Sequence, residues 1–304
     1  MKILIAGATG FIGKALVRAC KARGDEVIVL GRSKAKMQFV FKEPLPFWTW
    51  IDLETQTEPI DAVINLAGEN LLGGWWSKSK KEKILNSRLA ALKRLIAFCI
   101  RQKESTGQSP RLLQSNGVGI YGTRGDRVFD ENSPLPQEQD FLSCTARQIE
   151  TAAAEAEPHG IPLMVMRFGV VLDPNGGLLE QVFPLFKYGL GSIFGTGKQF
   201  ISWISRTDLV KAILFLLDHP EIESPVNLVA KEPVTQTAFS RAYAKYLQRP
   251  LWLRCPPFLV KFLLGEMGEN LILGSQQVVP LRLTEAGFDY EYPTLYYYFA
   301  KATR

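Results

Sequence analysis

The chain has 304 residues, of which 46% are hydrophobic, enough to bury a sizeable core in one large or two moderate domains. Its longest apolar run, residues 212–217, falls far short of the roughly 18 residues a membrane-spanning helix needs. The apolar start breaks at Gly7 without the length or cleavage site of a secretory leader, so a cytoplasmic protein with no membrane partner is expected. The formal charge of +6 comes from scattered bases, the densest run being residues 78–83, which reads as a solvated helix face rather than a nucleic-acid site. Four well-separated cysteines and two histidines indicate neither a disulfide framework nor a metal site.

Residues 2–6 read as a buried strand that runs into a loop holding Gly7, Thr9, Gly10, Phe11, Ile12 and Gly13, then into a helix-like stretch at 15–20. Strand, glycine turn and helix N-terminus in that order direct backbone N–H groups and the helix dipole at a pyrophosphate. Gly7 allows the turn, Gly10 lets phosphates approach the main chain, and Gly13 lets the helix lie close on the sheet. Residues 23–25 stop the helix, and a second strand over 26–30 ends at Gly31, Arg32 and Ser33. In dinucleotide folds an acid at that point accepts from the ribose 2′-hydroxyl, whereas a base pairs with a 2′-phosphate. There is no acid here; Arg32, Ser33 and Lys36 favour NADP(H) over NAD(H).

A third strand is expected over 47–51, with Asp52 and Leu53 flanking the adenine. The fourth, 62–66, ends in Leu66, Ala67, Gly68 and Glu69, residues small enough at 67 and 68 for a flat cofactor to lie against them. A helix follows over 77–99, with Ile84, Arg88, Leu92 and Leu95 near helical spacing, then a polar loop over 103–110 and a fifth strand over 112–115 ending at Ser115. A helix over 142–157 and a sixth strand over 163–168, containing Arg167 and continuing to 172, complete the alternation. Such alternation specifies an α/β fold, a Rossmann-type doubly wound parallel sheet. Beyond it the glycines and prolines multiply, with a helix over 209–217 and a strand over 225–228. Residues 1–173 therefore read as an NADP-binding domain and 174–304 as a smaller C-terminal α+β lobe that shapes a substrate cleft, with some segments returning to the core sheet.

The strand, the GATGFIG loop, Asn65 to Gly68 and Val118 to Gly122, in this order, resemble the extended short-chain dehydrogenase/reductases. NLAGE (65–69), Ser87-Arg88, RFGVVL (167–172), GTGKQFISWI (195–204), PVNLVA (225–230) and the tail over 264–288 are similar to the atypical "epimerase family protein" subfamily with its C-terminal domain of unknown function. The resemblance implies a cofactor site drawn from the glycine loop, Arg32, Ser33, Asp52, residues 66–69, Arg88, Ser115 and Arg167. It also implies a Tyr-x-x-x-Lys pair, in which Lys lowers the Tyr pKa for proton exchange. Asp140 and Cys144 stand in those places, and the only literal match, Tyr297 to Lys301, lies at the far C-terminus. The segment in which sugar-nucleotide enzymes carry a diphosphate-gripping Arg has Ile201. With Trp75, Trp76 and Trp203 as candidate cleft lining, this argues for a less charged substrate.

Candidates for catalysis are Tyr121, Glu69, Arg147 and Cys144, while Asp208 reads as part of a helix cap. Two functions follow: an NADP(H)-dependent oxidoreductase of an unidentified small molecule, or a non-catalytic NADP(H)-binding sensor. A monomer or homodimer is expected.

Overall fold

The fold is described from a computed structural model over residues 1–123, 127–137 and 140–301. Seven strands form one parallel sheet: β1 (Lys2–Ala6), β2 (Glu26–Gly31), β3 (Phe47–Thr49), β4 (Ala62–Asn65), β5 (Arg111–Gly117), β6 (Leu163–Phe168) and β7 (Val226–Leu228). Their spatial order is β7-β6-β5-β4-β1-β2-β3, so the direction of winding reverses between β1 and β4. A reversal of this kind opens a crevice at the carboxyl ends of the strands. Helices α1 (Phe11–Arg23), α2 (Lys34–Phe41), α3 (Lys78–Thr106), α4 (Phe141–Ala154), α5 (Gly177–Lys187) and α6 (Arg206–Asp218) follow in chain order. They are succeeded by α7 (Gln236–Tyr246), α8 (Pro257–Leu271), α9 (Leu281–Glu285) and α10 (Leu295–Lys301).

Strand side chains alternate faces, and β1 shows why a doubly covered sheet reads as an unbroken apolar run. Ile3 and Ile5 pack with Leu16, Val17 and Cys20 of α1 and Leu209, Ile213 and Leu216 of α6. Leu4 and Ala6 pack on the other face with Leu92, Leu95 and Phe98 of α3 and Ile149 and Ala153 of α4. Each of these core side chains is almost wholly removed from water. Burial of one such Leu or Ile contributes about 1.5–3 kcal/mol.

Several boundaries differ from the sequence expectation for local reasons. β3 stops at Thr49 rather than 51, because the Asp52 carboxylate accepts from the Thr49 N–H (2.7 Å) and turns the chain. α3 runs to Thr106, beyond the expected 99: the Ser105 and Thr106 hydroxyls donate to the Gln102 carbonyl within the last turn, and left-handed Gly107 caps it. The sixth strand does not continue unbroken to 172. At Gly169 a Cβ would lie 2.7 Å from the Ser202 carbonyl oxygen. Past that crossing Val170–Asp173 leaves the main sheet and pairs in parallel with Trp203–Ser205.

Residues beyond 174 return to the core: α6 covers α1, and β7 pairs with β6 in the register Val226 to Met166. The C-terminal lobe has its own core, where Phe239 and Tyr243 of α7 meet Tyr298 and Phe299 of α10 and Trp203. Among the described residues no helix is long and apolar enough to cross a membrane, and no cluster of ligating side chains for a metal occurs.

Candidate functional site

The loop between β1 and α1 has no room for side chains. Gly7 adopts φ +78°, and a Cβ there would meet the Leu66 carbonyl group at 2.6 Å. A Cβ at Gly13 would lie 2.4 Å from the Gly7 oxygen and 2.6 Å from the Ala8 Cα. The Gly10 N–H donates to the Gly7 oxygen (3.0 Å), closing the turn, and no side chain of a described residue caps the α1 N-terminus. Free N–H groups at a helix start beside a backbone stripped of side chains fit a dinucleotide pyrophosphate. Phe11 points away from the turn: Gly176 and Gly177 lie against its ring, and the Arg206 guanidinium, paired with Asp173 at 2.9 Å, lies 5.0 Å from the ring centre. Ile12 packs on the core under the sheet, while Thr9 is half-buried in the loop.

At the end of β2, Arg32 is exposed and forms no hydrogen bond or ion pair with a described residue. Ser33 caps α2 by accepting from the Lys36 N–H (3.2 Å). Across the crevice, the end of β4 is fixed by Asn65, which donates to Gln114 (2.7 Å) and accepts from the Ala67 N–H (3.0 Å). The Arg88 side chain packs on Gly68, where a Cβ would lie 3.0 Å from Cζ. Arg88 is half-buried, donates to the Ile84 carbonyl (2.8 Å) and has no carboxylate partner among the described residues. Burial lowers its pKa, against the pull of Glu69.

Glu69 accepts from Lys80 Nζ (2.6 Å), and its N–H donates to Ser87 Oγ (2.9 Å). Lys80 above all, then Arg32 and Lys83, hold its carboxyl below the ordinary range. One carboxylate thus lies among cations from β2 and α3, a charge surplus that suits a further anion. Lys80 and Lys83 were not singled out in the sequence, where they look like part of a solvated run. Asp52, expected beside the adenine, sits just past β3 with its carboxylate held by Thr49.

The residues around β5 and β6 are engaged largely with one another. Tyr121, considered for catalysis, is 1% exposed, and its hydroxyl lies 3.0 Å from both the Asp130 carbonyl and Asn227 Oδ1 while accepting from Arg167 (2.7 Å). Burial pushes its phenol pKa up, the opposite of what a proton exchanger needs. Arg167, expected at the cofactor, is 4% exposed and spends its guanidinium on Glu150 (2.8 and 2.7 Å) and Tyr121. Arg147 is turned to the Pro136 carbonyl, and its Nε has no partner among the described residues. Asn116 also donates to Glu150 (3.0 Å), so Glu150, overlooked in the sequence, anchors this corner. Ser115 remains half-buried near the end of β5.

Asp140 is the N-cap of α4. Its carboxylate accepts from the Ser143 N–H (2.8 Å) and from Thr123 Oγ1 (3.0 Å), and Ser143 Oγ accepts in return from the Asp140 N–H. Cys144 is half-buried one turn into that helix. Beside them opens a cavity of about 440 Å³ between the 121–123 turn, Phe129, Pro136, Asp140 and the α8 residues Glu266, Glu269 and Asn270.

The tryptophans do not line it together. Trp203 is fully buried in the lobe core, donating to the Glu232 carbonyl (3.2 Å), and Trp76 is buried against Phe141. Trp75 is 63% exposed, with its ring near Gly265 of α8. Ile201 pairs with Val234, Tyr297 lies on α10 in the C-terminal lobe, and Asp208 joins the α6 cap through Ser205.

The model of the NAD dependent epimerase/dehydratase family matches residues 3–229, and a domain of unknown function, DUF1731, matches residues 255–300. Epimerase family protein YfhF of Bacillus subtilis is 33% identical over 97% of this chain and 95% of its own. Epimerase family protein SDR39U1 of Bos taurus is 34% identical over 97% of each chain. The crystal structure of human epimerase family protein SDR39U1 (isoform 2) with NADPH superposes with a TM-score of 0.86 at 29% identity, covering 100% of this chain and 99% of that one.

Proposed function

The chain belongs to the NAD dependent epimerase/dehydratase family, and from that premise we propose that it binds NADP(H) in preference to NAD(H) and transfers hydride to or from a small, weakly charged substrate. The observation that carries the cofactor preference is Arg32: the end of β2 offers a guanidinium unpaired among the described residues and has no carboxylate in its own sequence over 31–33. A 2′-phosphate finds a cationic partner there, whereas a 2′-hydroxyl finds no carboxylate at the strand end to accept from it. Gly7, Gly10 and Gly13 with the α1 N-terminus would hold the pyrophosphate, Arg32 and Ser33 the 2′-phosphate, and Ala67 and Gly68 the flat face. When bound, the nicotinamide supplies the hydride donor or acceptor. The NADPH in the human SDR39U1 structure supports the same cofactor.

The substrate reading rests on the cavity beside Asp140, which has no Lys or Arg among its described lining residues and three carboxylates. Such a surface offers a diphosphate no cation to grip it and suits a neutral, hydroxylated or apolar molecule. Calorimetric titration with NADPH and NADH tests the cofactor assignment. NADPH is expected to bind at least about tenfold tighter, with Arg32→Ala removing the difference. Equal affinities, or a preference that survives the substitution, would overturn it.

A non-catalytic NADP(H)-binding role is favoured by one specific observation: Asp140 and Cys144 stand in the Tyr and Lys places, and Tyr121 is locked in the core. That reading expects NADPH to change trypsin cleavage within residues 174–304 without being consumed. Oxidation of NADPH with any member of a panel of carbonyl compounds would rule it out.

A further inference from the structure

Helix α8 presents large apolar side chains to solvent. Phe258 and Phe262, one turn apart, are 71% and 80% exposed, with Leu263 beside them. A groove of about 600 Å³ is lined by Tyr188, Leu190, Trp252 and Leu253, of which Trp252 is 76% exposed. Strand Leu253–Cys255, parallel to Ser192–Phe194, carries the chain from this groove through Pro256 directly into α8. An exposed apolar surface of this extent on a folded chain marks a docking face.

Charge identifies the occupant. Lys187 and Arg249 line the same groove and Arg254 follows it, all exposed and none paired with a carboxylate among the described residues. Lys187 Nζ lies 5.6 Å from the Phe183 ring centre and 5.9 Å from that of Tyr188, placing cation and aromatics together. The acids of α8 are neutralised, Glu266 by Lys81 and Glu269 by Lys261. What remains is protruding Trp, Tyr and Phe side chains beside uncompensated Lys and Arg, the composition that settles at a lipid–water interface.

We propose that this face docks on the surface of an anionic phospholipid bilayer, with Trp252, Phe258 and Phe262 entering the headgroup layer and Lys187, Arg249 and Arg254 meeting lipid phosphates. The attachment is peripheral and needs no spanning segment, in keeping with the absence of a membrane-spanning helix among the described residues. Side chains that stand so far out of the surface suit insertion among headgroups better than a flat protein interface. The same helix lines the cavity through Glu266, Glu269 and Asn270, so membrane face and candidate substrate site share one element.

Sedimentation of the full chain with vesicles tests this. Vesicles of phosphatidylcholine containing about a third phosphatidylglycerol should carry it down, and vesicles of phosphatidylcholine alone at least about tenfold less well. Trp252→Ser with Phe262→Ser should lower partitioning about tenfold, and Lys187→Gln about fivefold, the latter effect fading in high salt. The melting temperature and NADPH affinity should be unchanged, so that loss of docking is distinguished from loss of the fold or of the cofactor site. No sedimentation with anionic vesicles, binding indifferent to lipid charge, or binding unchanged in the variants would overturn the proposal. So would concentration-dependent dimerisation abolished by the same substitutions, which would assign the face to a second copy of the chain.

Discussion

At Gly13 a single methyl group is excluded by backbone, not by a side chain that can move aside: its nearest neighbours would be the Gly7 oxygen at 2.4 Å and the Ala8 Cα at 2.6 Å. Gly13→Ala must therefore displace the loop, and NADPH affinity is expected to fall about a hundredfold or more in calorimetry. Gly10→Ala is milder, its Cβ meeting only the Gly7 oxygen at 3.1 Å. Glu69 acts in the opposite sense, as a negative charge among Lys80, Arg32 and Lys83. Glu69→Gln should tighten NADPH binding by about fivefold and leave NADH little changed, measured by the same titration. The glycine loop was legible in the sequence because much of its cause is local: Gly10 and Gly13 answer constraints set by residues a few positions away, and Gly7 needs its positive φ for the turn itself, although it also faces the Leu66 carbonyl. The Tyr121 network was not, since its partners Arg167 and Asn227 lie 46 and 106 positions along the chain and nothing in the intervening sequence links them.

Among elements, the strands of the sheet were readable because burial on both faces leaves no polar alternation, only apolar runs bounded by turns. Helix α8 was not, because Phe258, Phe262 and Leu263 face solvent and blur its apolar period, and Gly265 interrupts it with a non-helical φ of 56°. The attachment of α9 was also invisible. Its first N–H, at Leu281, donates to Glu131 Oε2 (3.0 Å), while Glu131 Oε1 accepts from the Asn227 N–H of β7 (2.9 Å).

Burial raises the Glu131 pKa above its ordinary value of 4.5. A carboxyl raised on folding contributes stability that is fully present below its unfolded pKa and is lost as pH rises through the folded value. Glu131→Gln removes one of the two acceptors and should cost about 1–2 kcal/mol near neutrality. Its deficit relative to the parent should widen as pH falls toward about 4, as urea unfolding across that range would show.

For the whole molecule, the expected division into an NADP-binding domain and a C-terminal lobe is less sharp than a boundary at 173 implies. β7 and α6 belong to the Rossmann core, while Val170–Asp173 has already left the sheet. The two parts also meet at Phe11, the fifth residue of the cofactor loop, whose ring rests against Gly176 and Gly177 of the lobe. At Gly176 a Cβ would lie 2.4 Å from that ring. Gly176→Ala should consequently weaken NADPH binding from outside the cofactor site, by about three- to tenfold in calorimetry. Equilibrium linkage makes the coupling reciprocal. If cofactor shifts the lobe's affinity for a ligand through Phe11, that ligand shifts cofactor affinity by the same factor, and each becomes a measure of the other's occupancy.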